Sequence, residues 1–211
     1  RRQRQMCIRD RPNNVDIIHE VNFGESKVDI MVTTERYKNR IRIFSLPDMK
    51  ELDAGGLRVF SNEENPEPMG VALWKDEDGF AHAIVGKKYG LSGEYINQYK
   101  LSFDNDKFTL EYQRSFGAFS GLNEIEAIAV DNNNDKNYVV VSDQQKIKQF
   151  RIFTPSSNYE EVGSFYVNCI DSDGSEFHPG PFPEPFENGI FVAMSDDLSF
   201  HYYSWDQLCE Y

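Results

Sequence analysis

Val15-Asp16-Ile17, then Val28-Asp29-Ile30-Met31-Val32 running into Glu35-Arg36, then Ile41-Arg42-Ile43-Phe44: these patterns decide the fold, because they return in the same order. The first is a small, partly apolar strand carrying Asp, Gly or Glu. It recurs at Gly70-Val71-Ala72-Leu73-Trp74, Glu126-Ala127-Ile128-Ala129-Val130 and Asp173-Gly174-Ser175-Glu176, with starts 55, 56 and 47 residues apart. The second, an apolar run ending in charge, recurs as Ala83-Ile84-Val85 before Lys87-Lys88, Tyr138 to Val141 before Asp143-Gln144, and Ile190 to Met194 before Asp196-Asp197. The third mixes apolar and polar residues and recurs at Ile96-Asn97-Gln98-Tyr99, Ile147-Lys148-Gln149-Phe150 and Phe200-His201-Tyr202-Tyr203. A period of roughly 50 residues holding several strands is the mark of an all-β propeller with four-stranded antiparallel blades. The charges that end the second pattern are then expected to gather on one rim of the ring.

Turn signals separate the runs: Asp76-Glu77-Asp78-Gly79, Asp104-Asn105-Asp106 and Asp131-Asn132-Asn133-Asn134-Asp135. Such clusters tolerate the left-handed backbone that hairpins require. No apolar periodicity persists long enough for a stable helix. A two-sheet sandwich also has many short strands, but it does not need the same patterns in the same order four times. Aromatic residues are 14% of the chain, enough to fill wedges between blades, and no apolar run approaches the ~20 residues of a membrane span. Cys7, Cys169 and Cys209 have no metal-ligand spacing; at most Cys169 and Cys209 could pair.

Residues 1–11 are basic, lack strand periodicity, and read as an extension foreign to the domain, resembling translated adapter sequence; the alternative is a native basic arm. They carry +4 of a total of −13, which leaves −17 on residues 12–211, read as a single, incomplete propeller domain. A body that acidic repels nucleic acid and anionic membranes and concentrates divalent cations.

No nucleophile elbow, phosphate loop or zinc-binding helix motif is present, and His19, His82, His178 and His201 share no ligand spacing. His82 and His201 sit inside strand patterns and read as structural. What remains is the mixed-charge rim. Arg offers a fork for phosphate and Lys a point charge, whereas clustered carboxylates suit calcium, a hard cation with oxygen ligands. The alternative is a solvated surface of alternating charge.

In order, Asn13-Asn14-Val15-Asp16, Lys27 to Arg36 and Asn39 to Phe44 resemble the β-propeller phytases. So do Met69 to Trp74, Ile84 to Lys88, Gly93 to Tyr99, Gly117 to Ser120, Glu124 to Asp131, Ser142-Asp143-Gln144, Asp171 to Glu176 and Phe186 to Met194. Nearly everything from Asn13 onward is covered. The resemblance implies a six-bladed fold that hydrolyses inositol phosphates with calcium. Four repeats stand here, a blade's worth of residues is missing between 126 and 144, and Tyr89 replaces the Glu of many relatives.

Carried over, Arg36 and Lys88 grip phosphate with Lys87 beside them. Gln144 joins Arg36 and Lys88 in the catalytic set, and Asp16, Glu124, Glu126, Asp143 and Asp173 hold Ca2+. Bridging calcium would lower the pKa of a bound water so that hydroxide attacks phosphorus, with no protein nucleophile. The same resemblance implies a secreted or periplasmic monomer acting on a small molecule, without nucleic acid or membrane. A non-catalytic interaction scaffold is the main alternative, and a calcium lactonase a weaker one that leaves Arg36 and Lys88 beside carboxylates unexplained.

Overall fold

A computed structural model describes residues 11–88, 94–118, 128–130, 138–144, 149–155 and 158–209. Blade one comprises β1 (Pro12–Phe23), β2 (Ser26–Glu35), β3 (Arg40–Leu46) and the short β4 (Leu57–Arg58). Blade two is β5 (Pro68–Lys75), β6 (Ala81–Lys87), β7 (Glu94–Asp104) and β8 (Lys107–Ala118). Blade three is β9 (Ile128–Val130), β10 (Val139–Asp143), β11 (Gln149–Thr154) and β12 (Glu160–Tyr166). Blade four has β13 (Ser175–His178), β14 (Ile190–Ser195) and β15 (Ser199–Ser204), followed by the one-turn helix α1 (Trp205–Cys209). Every blade is an antiparallel meander whose strands lie in chain order. The first strands form the hub: β1 packs on β5, β5 on β9, and β9 on β13. The ring is a β-propeller, as the repeats predict.

The sequence patterns map onto the first, second and third strands of each blade. Strand pairing places Asp104 opposite Lys107, so Asn105 and Asp106 form a two-residue hairpin loop, both with positive φ (47° and 59°), as the primed turns demand. The second strands of blades two and three, β6 and β10, are buried on both faces, and their period of two deals residues alternately to two seams. From β5 and β6, Val71, Leu73, Ala83 and Val85 enter a core shared with Ile30, Val32, Ile41 and Ile43 of blade one. The intervening Ala72 and Ile84 enter a second core with Val139, Val141 and Phe153 of blade three. Val140 of β10 turns the other way, joining Phe150 and Phe165 in a third core against Phe177, Phe191 and Trp205 of blade four.

Among the described residues, no such core joins blade four to blade one. β14 and β15 pair Val192 with Tyr202 and Met194 with Phe200, which puts these four side chains on one sheet face. That face stays open, with Phe200 63% and Tyr202 59% exposed, and Val15 and Ile17 across the seam are 52% and 48% exposed. The result is a groove of about 370 Å³ between Asn13–Val15 and the strands of blade four. Cys169 is a buried free thiol, so the pairing with Cys209 considered from sequence is not made. No helix among the described residues is long and apolar enough to cross a membrane.

Candidate functional site

In blades one to three the residues ending the second strands are buried ion-pair partners rather than solvated rim charges, whereas Asp196 and Asp197, after the second strand of blade four, are exposed as expected. Glu35 closes β2 and accepts from Arg40 and from Arg42 (3.5 Å). Arg42 also reaches Glu51 (2.6 Å) and Asp53 (2.9 Å). Asp143 closes β10 and accepts from Arg151 of β11 (2.6 Å) and Gln149 (3.1 Å), while Arg151 forks onto both oxygens of Glu161 (3.0 and 2.9 Å). Lys87 closes β6 and pairs with Glu63, its ammonium lying over the rings of Phe60 and Tyr95. Glu35, Lys87 and Asp143 are 7%, 1% and 1% exposed. A strand covered by sheets on both sides takes its terminal charge inside, and a charge there demands a hydrogen-bonded partner. The expected charged rim is corrected at these positions: Lys87, assigned to substrate, and Asp143, assigned to metal, are both held within their own surroundings.

The next residues along behave differently. Arg36 is 7% exposed and donates through Nε to Glu67 (2.5 Å). Lys88 lies in the same neighbourhood, its backbone N–H directed at the carbonyls of Pro66 (3.2 Å) and Glu67 (3.0 Å). The structure therefore brings Arg36 and the Lys88 backbone to the same segment, with Arg36 held by a carboxylate, Glu67, that sequence reasoning missed.

A second cluster lines the open seam. Gln144 donates to the carbonyl of Ser172 (3.2 Å) and to Oδ1 of Asp173 (3.4 Å). Asn14 of β1 donates to the carbonyl of Asp173 (3.3 Å), tying the first blade to the fourth. Asp16 projects from β1 and accepts from the N–H groups of Leu73 (2.6 Å) and Ile17 (2.6 Å). Burial nevertheless dominates and pushes its carboxyl up to about 6. Glu176, on β13, keeps open surface along the residue, yet its carboxyl is pushed up to about 8 by desolvation and by the charge on Asp16. Each of these carboxyls therefore keeps its proton to higher pH than an ordinary acid. Glu176 was missed because Asp173 opened the quoted repeat. The signal was available, since Asp16 and Glu176 both lie on hub strands and only hub strands converge.

Glu124 and Glu126, assigned to calcium by resemblance, lie outside the described residues. Among the described residues, no three of His, Cys, Asp and Glu form a group arranged to hold a metal ion. His82 is structural, bonded to Asp76 (3.0 Å) and Gln98 (2.9 Å) and stacked on Trp74.

No family model matches this chain, and no curated protein does. Among solved structures, it is similar to the Cps50 (Swd1) β-propeller domain of Myceliophteria thermophila, with a TM-score of 0.54 at 12% identity. The match covers 96% of this chain and 56% of that one, so the chain spans little more than half the length of its structural neighbour. At that identity the likeness carries the fold and nothing finer.

Proposed function

We propose that this propeller is a non-catalytic interaction scaffold whose binding surface is the open seam between blades four and one. The observation that carries this reading is the apolar face formed by Val192, Met194, Phe200 and Tyr202, opposite Val15 and Ile17. The other three seams bury residues of the same kind in packed cores, and a contiguous exposed apolar face marks an interaction site. The carboxyls of Asp173 and Glu176 border the groove, and the chain carries −13 overall. The partner that fits is an extended, basic segment of another protein, with apolar side chains filling the wedge and Lys or Arg meeting the carboxyls. Fluorescence anisotropy with a labelled peptide of alternating Val and Lys tests this directly. Binding that Phe200→Asp abolishes supports the reading; binding that ignores Phe200, or none, refutes it.

One observation favours a second reading, the calcium-dependent phosphatase of phytase type. The raised carboxyls of Asp16 and Glu176 mark negative charge that the surrounding protein leaves poorly compensated, and Asp173 and Gln144 stand beside them. A hard cation would relieve that repulsion, and Arg36 would then need release from Glu67 to meet phosphate. Phosphate release from phytate that appears with calcium and vanishes with chelator would make this the better reading.

A further inference from the structure

We propose that a second cavity, sunk into blade two away from the open seam, is a binding site for a neutral polyhydroxylated ligand of monosaccharide size. The cavity measures about 230 Å³ and is bounded by Phe60–Glu63, Lys87, and the β7–β8 residues Asn97, Tyr99, Tyr112 and Ser115.

Its polar lining is ordered by a single chain of hydrogen bonds whose direction can be worked out. With the Asn97 amide as oriented, Ser115 donates its hydroxyl proton to Asn97 Oδ1 (2.8 Å), so Ser115 accepts from Tyr112 (2.9 Å). Asn97 Nδ2 donates to the Tyr99 hydroxyl (2.8 Å), which also accepts from the backbone N–H of Phe60 (2.7 Å). Tyr99 is 4% exposed and has filled both acceptor positions, which leaves its own O–H proton to give. Burial raises the Tyr99 phenol further above its ordinary range, so the proton stays in place at physiological pH. At the other end of the chain, Tyr112 has donated its proton and retains acceptor lone pairs. Glu63 adds a carboxylate acceptor beside its bond to Lys87.

A donor and acceptors set side by side suit hydroxyl groups, each of which gives and receives. They do not suit a charged ligand. Lys87 is 1% exposed and committed to Glu63, so an anion would meet that carboxylate, while a cation would meet the ammonium behind it. The rings of Tyr99 and Tyr112, edge to face at 6.1 Å, supply apolar walls for the C–H faces of a sugar. Sites of this kind are concave and largely preformed, with few convergent polar groups.

The test is a panel of neutral hexoses (glucose, mannose, galactose) with the whole protein, read by saturation-transfer NMR and calorimetry. The corresponding sugar phosphates and amino sugars serve as charged counterparts. At least one neutral hexose is expected to bind with a millimolar or tighter Kd and its charged counterparts more weakly. Tyr99→Phe, which removes the donor and keeps the ring, should weaken binding about tenfold. Because that change also takes an acceptor from two buried N–H groups, Tyr112→Ala gives an independent answer. Tyr112 is 56% exposed and its loss should weaken hexose binding without unfolding the protein. Tyr166→Ala, at a still more exposed tyrosine on β12, should change nothing. No hexose bound, a charged sugar preferred, or Tyr112→Ala binding as wild type would each overturn the assignment.

Discussion

Blades three and four meet over Phe150, Phe165 and Phe191, whose rings pack 5.0 to 5.6 Å apart, and Phe191 has no exposed surface. Among the described residues, blades four and one meet over an amide hydrogen bond from Asn14 and the electrostatic coupling of two acids, and leave aromatic surface in the open. Both seams join the same kind of sheet, built from the same repeat. The difference lies in what stands opposite: hub and middle strands of blades two and three are apolar on both faces, whereas β1 presents Asn13, Asn14 and Asp16 with its exposed Val15 and Ile17. Stability is therefore concentrated in three seams, and the fourth is the one we propose for recognition.

The largest expected effect breaks a filled seam. Phe191→Ala should cost about 3–5 kcal/mol in chemical denaturation, whereas Phe200→Ala, on the opposite face of the same blade, should stay within about 0.5 kcal/mol. Equal losses would mean that the fourth seam is packed after all.

Next comes the buried ion pair of blade three. Arg151→Ala removes the guanidinium from a carboxylate, Asp143, that stays 1% exposed, and should cost about 2–4 kcal/mol. Arg36→Ala, which breaks a pair whose Glu67 side chain is 24% exposed, should cost less, about 1–2 kcal/mol. If the two losses are alike, the contrast between pairs inside a blade and pairs on its rim is wrong.

The two acids make a smaller, pH-dependent contribution. Asp16 and Glu176 hold protons more tightly in the folded chain, at about 6 and 8, than their ordinary 3.8 and 4.5. The folded state then binds more protons across that window, so stability falls as pH rises from about 4 to 8. Glu176→Gln should flatten this slope and raise stability at pH 8 by about 1 kcal/mol, discounted for solvent screening of an accessible group. A melting profile that the substitution leaves unchanged would remove the acid pair from the seam's energetics.

The fold was legible because strands buried on both faces leave long apolar runs, such as Ala81–Val85 and Val139–Val141, that repeat at fixed spacing. The outer strands were not read. β4 is two residues long, and β8 buries Phe108 and Phe116 near its ends but carries an exposed polar stretch, Glu111 to Arg114, between them, so neither shows an unbroken core-facing pattern. The site was partly legible. A charge at a strand end reads alike whether it faces solvent or a buried partner; Arg151, the partner of Asp143, sits on the next strand, while Glu63 and Glu67, the partners of Lys87 and Arg36, come from the segment before β5. Hub positions were more transparent, since Asp173 does border the open seam and the charge on Asp16 reaches Glu176 there. The open seam itself had no signature, because Phe200 and Tyr202 alternate as buried strand residues do.

Hydrogen exchange followed by mass spectrometry, with and without the basic Val-Lys peptide, tests the open seam most directly. The account predicts strong protection of β6 and β10, faster exchange in β15 and the first half of β1, and slowing of β15 and β1 when peptide binds. Protection of β15 equal to that of β6 in the isolated protein, or exchange there that the peptide leaves unaltered, would contradict it.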